Sequence, residues 1–410
     1  MPDHAIRPHD ANDREHCLRM LREVGWMKGK DGDGATLDAY LGDSTVMIGE
    51  VDGEAEVLAA SHAGDIRYGD VSLSLAAITG VLTSRVARKL GLASRLTAEV
   101  ISHSGAAVSM LGIFDQGYYD RLGFGSMPYS RFQTIDPAAL RVPASRRIPR
   151  RLSADDADRV HANRLARHRG HGSCSLHGVG MTRCEMLWDT DDPNFGLGFE
   201  DDQNTLTHHV WMQSKGAHGP YTVHWMAWET HDQLMELLGL LKSLSDQVHG
   251  IRMADPPGIQ LQDLLDRPLA THRMRKGGDF DAGVQSAAWQ QLRILDMEAC
   301  VAAMHLHGPP VAFNAVVTDP ITQYLSPSTL WQGVGGTWRI ELSGDSRAER
   351  GEDPSLPTLR TSVGAFSRLW IGAASAESLS VTDDFAADAE LIKALDATIR
   401  LPRPQHDWEF

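Results

Sequence analysis

One stretch, residues 72–125, constrains this chain more than any other. Its apolar run over 72–83 reads as a strand and ends in a turn. Leu92, Leu96 and Val100 then recur at helical spacing over about 91–102, and a second apolar run occupies 107–114. Strand, helix and strand in that order call for a helix packed on a sheet, hence an α/β fold. The turn is Arg88-Lys89-Leu90-Gly91-Leu92-Ala93, an Arg-x-x-Gly-x-Ala motif at the helix start. Backbone N–H groups there have no intrahelical acceptor, and with the helix dipole they attract an anion such as a pyrophosphate. Gly91 lets a ligand approach the backbone, while Arg88 and Lys89 add positive charge. Beyond the second strand stand Tyr118, Tyr119 and the glycine-rich turn Asp120-Arg121-Leu122-Gly123-Phe124-Gly125.

The remaining segments extend this pattern. A helix is predicted over 11–24, a flexible loop over 29–34, and strands over 45–51 and 56–61. Residues 141–151 hold two prolines and five arginines, which reads as a linker rather than a phosphate-binding patch, since no aromatic interleaves the charges. Ser153 ahead of Asp155 and Asp156 marks a helix start. A strand over 221–228 precedes an amphipathic helix reaching about 248, a second strand–helix succession without the motif. The last third is expected to open on a helix from about 290–296 through 304. Strands at 311–318 and 336–342 and helices at 363–370 and 384–397 follow. In the tail, Pro402 and Pro404 forbid a regular helix, yet Trp408 and Phe410 are apolar and suggest that it docks on the protein.

Composition narrows the classes. A chain of 410 residues is too long for one ordinary core, so two or three domains are expected. A net charge of −15 at pH 7 disfavours a general nucleic-acid binder. Four cysteines lie far apart without a Cys-x-x-Cys pair, so a reducing compartment is expected and a thiolate zinc site is not. The polar opening Met1-Pro2-Asp3-His4 and the lack of any run near ~20 apolar residues predict a cytoplasmic protein with no membrane span.

The order of these motifs resembles that of acetyltransferases, and acetyl transfer to an amine needs a held donor, an acceptor nitrogen that loses a proton, and a thiolate that leaves. Leu90, Gly91, Leu92 and Ala93 offer the donors for a pyrophosphate. A tyrosine after the second strand can protonate the sulfur. Tyr118 and Tyr119 compete for that part, and Tyr119, directly before the turn, is the choice. Local bases are unconvincing: Glu99, Asp115 and Asp120 read as caps or surface charges, and His103 has no partner. The histidine clusters lack carboxylates at metal-ligand spacing, so no metal is expected.

Phosphate turn, helix, strand and tyrosine-rich turn follow the order found in Gcn5-related N-acetyltransferases (GNATs), which points to acetyl-CoA. More specifically, the whole chain resembles the enhanced-intracellular-survival (Eis) branch. The likeness rests on the residues above, on Arg183, Trp188 and the 234–248 helix before Pro256, and on Leu292-Arg293-Ile294-Leu295-Asp296, the run 364–372 and Phe410. It implies a GNAT domain over 1–150, a second, degenerate GNAT-like domain over 151–288, and a sterol-carrier-protein-like α+β domain over 289–410. It also implies Tyr119 as general acid and the Phe410 terminal carboxylate as general base. A free α-carboxyl titrates near ~3.5; partial burial and the neighbouring Glu409 would raise it toward a useful range. Glu409 is further expected to hold a cationic acceptor. Trp26 and the 29–34 loop match the acceptor cleft, while Val81 and Thr83 match the cofactor grip. No proline or aromatic precedes the motif here, a departure from the common GNAT pattern. The implied acceptor is a small-molecule amine, such as an aminoglycoside, or a lysine side chain. The implied assembly is a homo-hexamer. The alternative is a non-catalytic carrier of a lipid or another apolar ligand.

Overall fold

Three sheets carry the chain in the computed structural model, which describes residues 4–113, 117–188, 191–266 and 283–410. Phe114 and Asp115 lie outside the described residues. The first sheet is built on β1 (His4–Pro8), β2 (Ser44–Val51), β3 (Glu54–Tyr68), β4 (Val71–Thr83) and β5 (Val108–Gly112), side by side in that order. Helices α1 (Arg14–Glu23), α2 (Asp33–Gly42) and α3 (Leu92–Ser102) flank it. The strands at 45–51 and 72–83 and the helix at 91–102 stand within a residue of their expected bounds. The 56–61 strand runs on to Tyr68.

The helix α3 lies between two parallel strands. β4 and β5 pair only from Leu75↔Val108 to Ile78↔Leu111. Beyond Ile78, β4 stays with β3 as far as Thr83 and leaves β5, so the sheet splits. Gly80 sits at a bulge there with φ +58, and a Cβ on it would stand 2.1 Å from the Tyr40 hydroxyl. A glycine is therefore required at the split. The cavity described below opens at this fork.

The second sheet contains β7 (Ser130–Ile135), β8 (Arg150–Leu152), β10 (Asn194–Glu200), β11 (Leu206–Gln213), β12 (Tyr221–Ala227), β13 (Ile251–Ala254) and β14 (Gly283–Ala287). Helices α4 (Ala157–Ala166), α5 (Val179–Leu187) and α6 (His231–Ser243) accompany it. Residues 363–370, 376–382 and 389–398 form helices against a third, five-stranded sheet that includes Val311–Thr318 and Gly336–Leu342.

The sheets exchange strands across residues 150 and 288. β7 precedes residue 150 yet pairs with β13 and β14 in the second sheet. β9 (Cys174–Leu176) adds to β3. β15 (Gln290–Ile294) enters the first sheet between β5 and β6 (Gly125–Ser126). The helix expected from about 290 therefore begins only at Met297, capped by Asp296. Gln290 to Ile294 are buried throughout, as an interior strand with both faces covered should be. Two of the five arginines of 141–151 are engaged by acids: Arg147 by Glu236 at 2.9 Å, and Arg150 by Glu200 and Asp156 at 2.7 Å each. Among the described residues no helix is long and apolar enough to cross a membrane.

Candidate active site

At the start of α3 the backbone is arranged for an anion. Gly91 is the N-cap with φ 76, and no side chain caps the helix. The first backbone bond back to the Gly91 carbonyl comes from Arg95, so the N–H groups of Leu92, Ala93 and Ser94 precede the intrahelical ladder. Lys89 also has positive φ, at 65, a costly conformation outside glycine. Arg88, Lys89 and Leu90 are exposed around this turn. Among the described residues the β5-facing edge of β4 beyond Ile78 has no strand partner, which leaves backbone donors and acceptors for an extended ligand beside Val81. A glycine-started, uncapped helix and an open strand edge fit a molecule with a pyrophosphate and an amide-bearing arm. Thr83 stands farther along β4, paired with Val57.

Tyr119 lines a cavity of about 490 Å³ at the fork, together with Val81, Trp26, Glu409 and Phe410. Its ring meets Tyr118 edge-on at 4.8 Å and Phe124 at 6.1 Å. Burial pushes the phenol well above its ordinary pKa, which keeps the proton on it as a donor requires. The Tyr118 hydroxyl instead accepts from Ser94 Oγ at 3.2 Å, in the first turn of α3. The nearby acids are otherwise engaged. Asp120 accepts from Gln291 Nε2 at 2.7 Å, and Glu99 accepts the Ser326 N–H at 3.2 Å. The ring of His103 lies against the Glu99 carbonyl at 2.7 Å. Among the described residues no group of three or more metal-ligating side chains comes together.

The tail is held along its length. Gln405 bonds the His171 carbonyl through its N–H at 2.8 Å and the Asp255 carbonyl through its side chain at 2.6 Å. Asp407 takes two bonds from Arg167, at 2.9 and 3.0 Å, one from Ser173 Oγ at 2.6 Å, and the Cys174 N–H at 3.2 Å. Burial would raise its carboxyl, but Arg167 and Ser173 outweigh it and hold the pKa below the usual value. Trp408 is 1% exposed, with the Arg164 guanidinium 3.7 Å from its ring centre. These anchors bring the last residue to the end of β5, where a Cβ on Gly112 would stand 3.2 Å from the Phe410 backbone oxygen. Glu409 lines the cavity with its surface exposed there, while the protein mass around it still disfavours its charge. Burial, then the charge of Glu185, raises its pKa.

The cavity also contains residues that the sequence did not single out. Arg164 and Glu185 form a buried ion pair beside it. Burial pushes both toward their neutral forms, and each opposes this in the other. Trp225 stacks on Trp211 at 5.6 Å with its Nε1–H on His209 at 2.9 Å. No local motif marks these residues. They come from α4, α5 and the second sheet, and only the fold gathers them at the fork.

No family model matches the chain, and no curated protein matches it. Solved structures do. A probable N-acyltransferase from Enterococcus faecalis is 16% identical with a TM-score of 0.77, covering 100% of both chains. A GCN5-related N-acetyltransferase from Kribbella flavida is 18% identical with a TM-score of 0.73, over 100% of this chain and 99% of its own. Eis1 from Mycobacterium abscessus is 19% identical with a TM-score of 0.75, again over 100% of both. The chain thus has, along its whole length, the mixed α/β fold of GCN5-related N-acetyltransferases.

Proposed function

We propose that this chain is an N-acetyltransferase that moves an acetyl group from acetyl-CoA directly to an amine. The observation that carries this reading is convergence: Tyr119, from the turn after β5, and Phe410, from the far end of the chain, line one cavity at the β4–β5 fork. The uncapped α3 start lies on the same fork. Backbone N–H groups of Leu92, Ala93 and Ser94, with Arg88 and Lys89 nearby, would hold the pyrophosphate, and the open edge of β4 around Val81 would take the pantetheine arm. Acetyl-CoA supplies an activated acyl group and a thiolate leaving group.

The chain's own groups move the protons. With the chain ending at Phe410, its carboxylate takes a proton from the acceptor nitrogen as the C–N bond forms. The Tyr119 phenol gives its proton to the sulfur as the C–S bond breaks. A substrate that arrives as an ammonium sheds one further proton beforehand, so one proton in total goes to solvent. Glu409, raised by burial, faces the same space and would hold that ammonium. The test is thiol release from acetyl-CoA with a panel of amines, alongside the thermal shift on adding acetyl-CoA. Amine-dependent thiol release and a stabilising shift are expected. A chain that shows no shift at any acetyl-CoA concentration does not have this function.

A further inference from the structure

The charges around the cavity are mostly matched already. Glu185 is held by Arg164, whose guanidinium lies 4.1 Å from the Trp225 ring centre and 3.7 Å from that of Trp408. Asp407 is held by Arg167 and Ser173. Two anionic groups remain, Glu409 and the Phe410 carboxylate, neighbours at the end of the tail. Among the described residues no hydrogen bond or ion pair engages the Glu409 side chain, and the charge of Arg252 acts on it only from beyond ion-pair distance. Most of the remaining wall is apolar, with Leu21, Met27, Met181 and Cys184, and with Trp26 and Trp188 at the outer end; Tyr40, Thr79, Asn194 and His224 are uncharged polar members of it. Those two rings also line a neighbouring surface depression, where Asp191 is paired with Lys28 at 2.6 Å and Asp192 stands beside it.

We propose that the acceptor is an amine bearing a single positive charge on an aromatic or otherwise apolar body, an arylalkylamine in chemical class, and not a polycation. This rests on the acetyltransferase reading and narrows its substrate. One unmatched carboxylate beside the reacting one accommodates one ammonium. A second or third ammonium in the same space meets Arg164 or an apolar wall, and an unpaired buried charge is expensive. Indole faces, by contrast, suit both an aromatic ring and the cation that follows it. A volume of about 490 Å³ leaves room for such a body beside the acetyl end of the donor.

The test is calorimetric binding of tryptamine to the whole chain, with and without CoA, set against spermidine, kanamycin and a lysine-containing peptide. One tryptamine site is expected, at least about tenfold tighter than spermidine or kanamycin, and weakened about tenfold by Trp188→Ala. Trp26→Ala is the second variant, since Trp26 is 40% exposed and its loss leaves the core intact. Tighter binding of spermidine, kanamycin or the peptide overturns the proposal. So does the absence of tryptamine binding, or an affinity unchanged in both tryptophan variants. Binding is read without turnover, so the two readings fail separately. Thiol release with another amine but no tryptamine binding overturns this proposal alone; tryptamine held at one site with no thiol release from any amine ends the acetyltransferase reading and, with it, tryptamine's place as acceptor.

Discussion

Two strand–helix–strand units in this chain share a parallel design and differ at one cap. In the first, β4 and β5 flank α3, which opens on Gly91 with no side chain on its first donors. In the second, β12 and β13 are also parallel, and α6 lies between them. There Thr230 accepts the Gln233 N–H, Gln233 reaches back to the Thr230 N–H, and Asp232 sits in the first turn. A helix that satisfies its own donors and carries an acid at its positive end does not attract a phosphate. The units thus divide the work: one is open to a ligand, and the other is closed on itself and serves as wall and scaffold. Its strands and α5 still supply Trp211, Trp225 and Glu185 to the cavity of the first. Kinship of fold alone does not decide which unit binds; on the proposed reading the residue at the helix start does.

The comparison can be broken at several points. The largest effect is expected from Tyr119→Phe, which removes the phenol proposed as proton donor at the first unit's fork. It should lower kcat by about 100-fold or more, with KM for acetyl-CoA almost unchanged in steady-state assays. Next, Gly91→Asp gives the first helix start an acid like that of the second. Acetyl-CoA affinity should fall at least about tenfold by calorimetry; an unchanged affinity would remove α3 from the donor site.

Acid should act on the second sheet, beside the second unit. His209 is buried in β11 as a neutral ring, bonded to Asn163 at 2.6 Å and accepting from Trp225 at 2.9 Å. Burial pulls its pKa down to about 3. Between its ordinary 6.5 and about 3 the unfolded chain binds the extra proton and the folded one does not. Stability from this group is therefore full above 6.5 and falls as pH drops through that window. Urea midpoints against pH should show the slope, and His209→Gln should flatten it. The smallest effect is expected from Thr230→Ala, about 1 kcal/mol of stability in urea melts, with acetyl-CoA affinity unaffected.

Local features of this architecture were readable in the residues. The strands Val311–Thr318 and Gly336–Leu342 and the helix Val363–Trp370 coincide with their expected bounds, because apolar periodicity is a property of the segment itself. The α3 turn was legible for the same reason. β15 was not. Its Gln290-Gln291-Leu292-Arg293-Ile294 places polar residues at buried positions, and Arg293 is paired inside the protein with Asp319 at 2.7 Å. Partners brought by the fold make that burial tolerable: Asp319 and the Leu122 carbonyl for Arg293, and Asp120 for Gln291. The tail divides likewise. Trp408 and Phe410 announced docking, but Arg167 and Asp407 stand 240 positions apart, and no spacing rule connects them. Where the tail ends up depends on that pair and on Arg164, so its meeting with Tyr119 is a product of the whole fold.

The most direct measurement is the activity of the chain ending at Phe410 against the same chain extended by two glycines. The extension moves the carboxylate away from Gly112 while leaving the anchors at Gln405, Asp407 and Trp408 in place. Acetyl-CoA turnover with a chosen amine is expected to drop by about 100-fold or more, with the melting temperature and acetyl-CoA affinity retained. Equal turnover by both chains would contradict the terminal carboxylate as base and separate the two ends of the chain that this account joins.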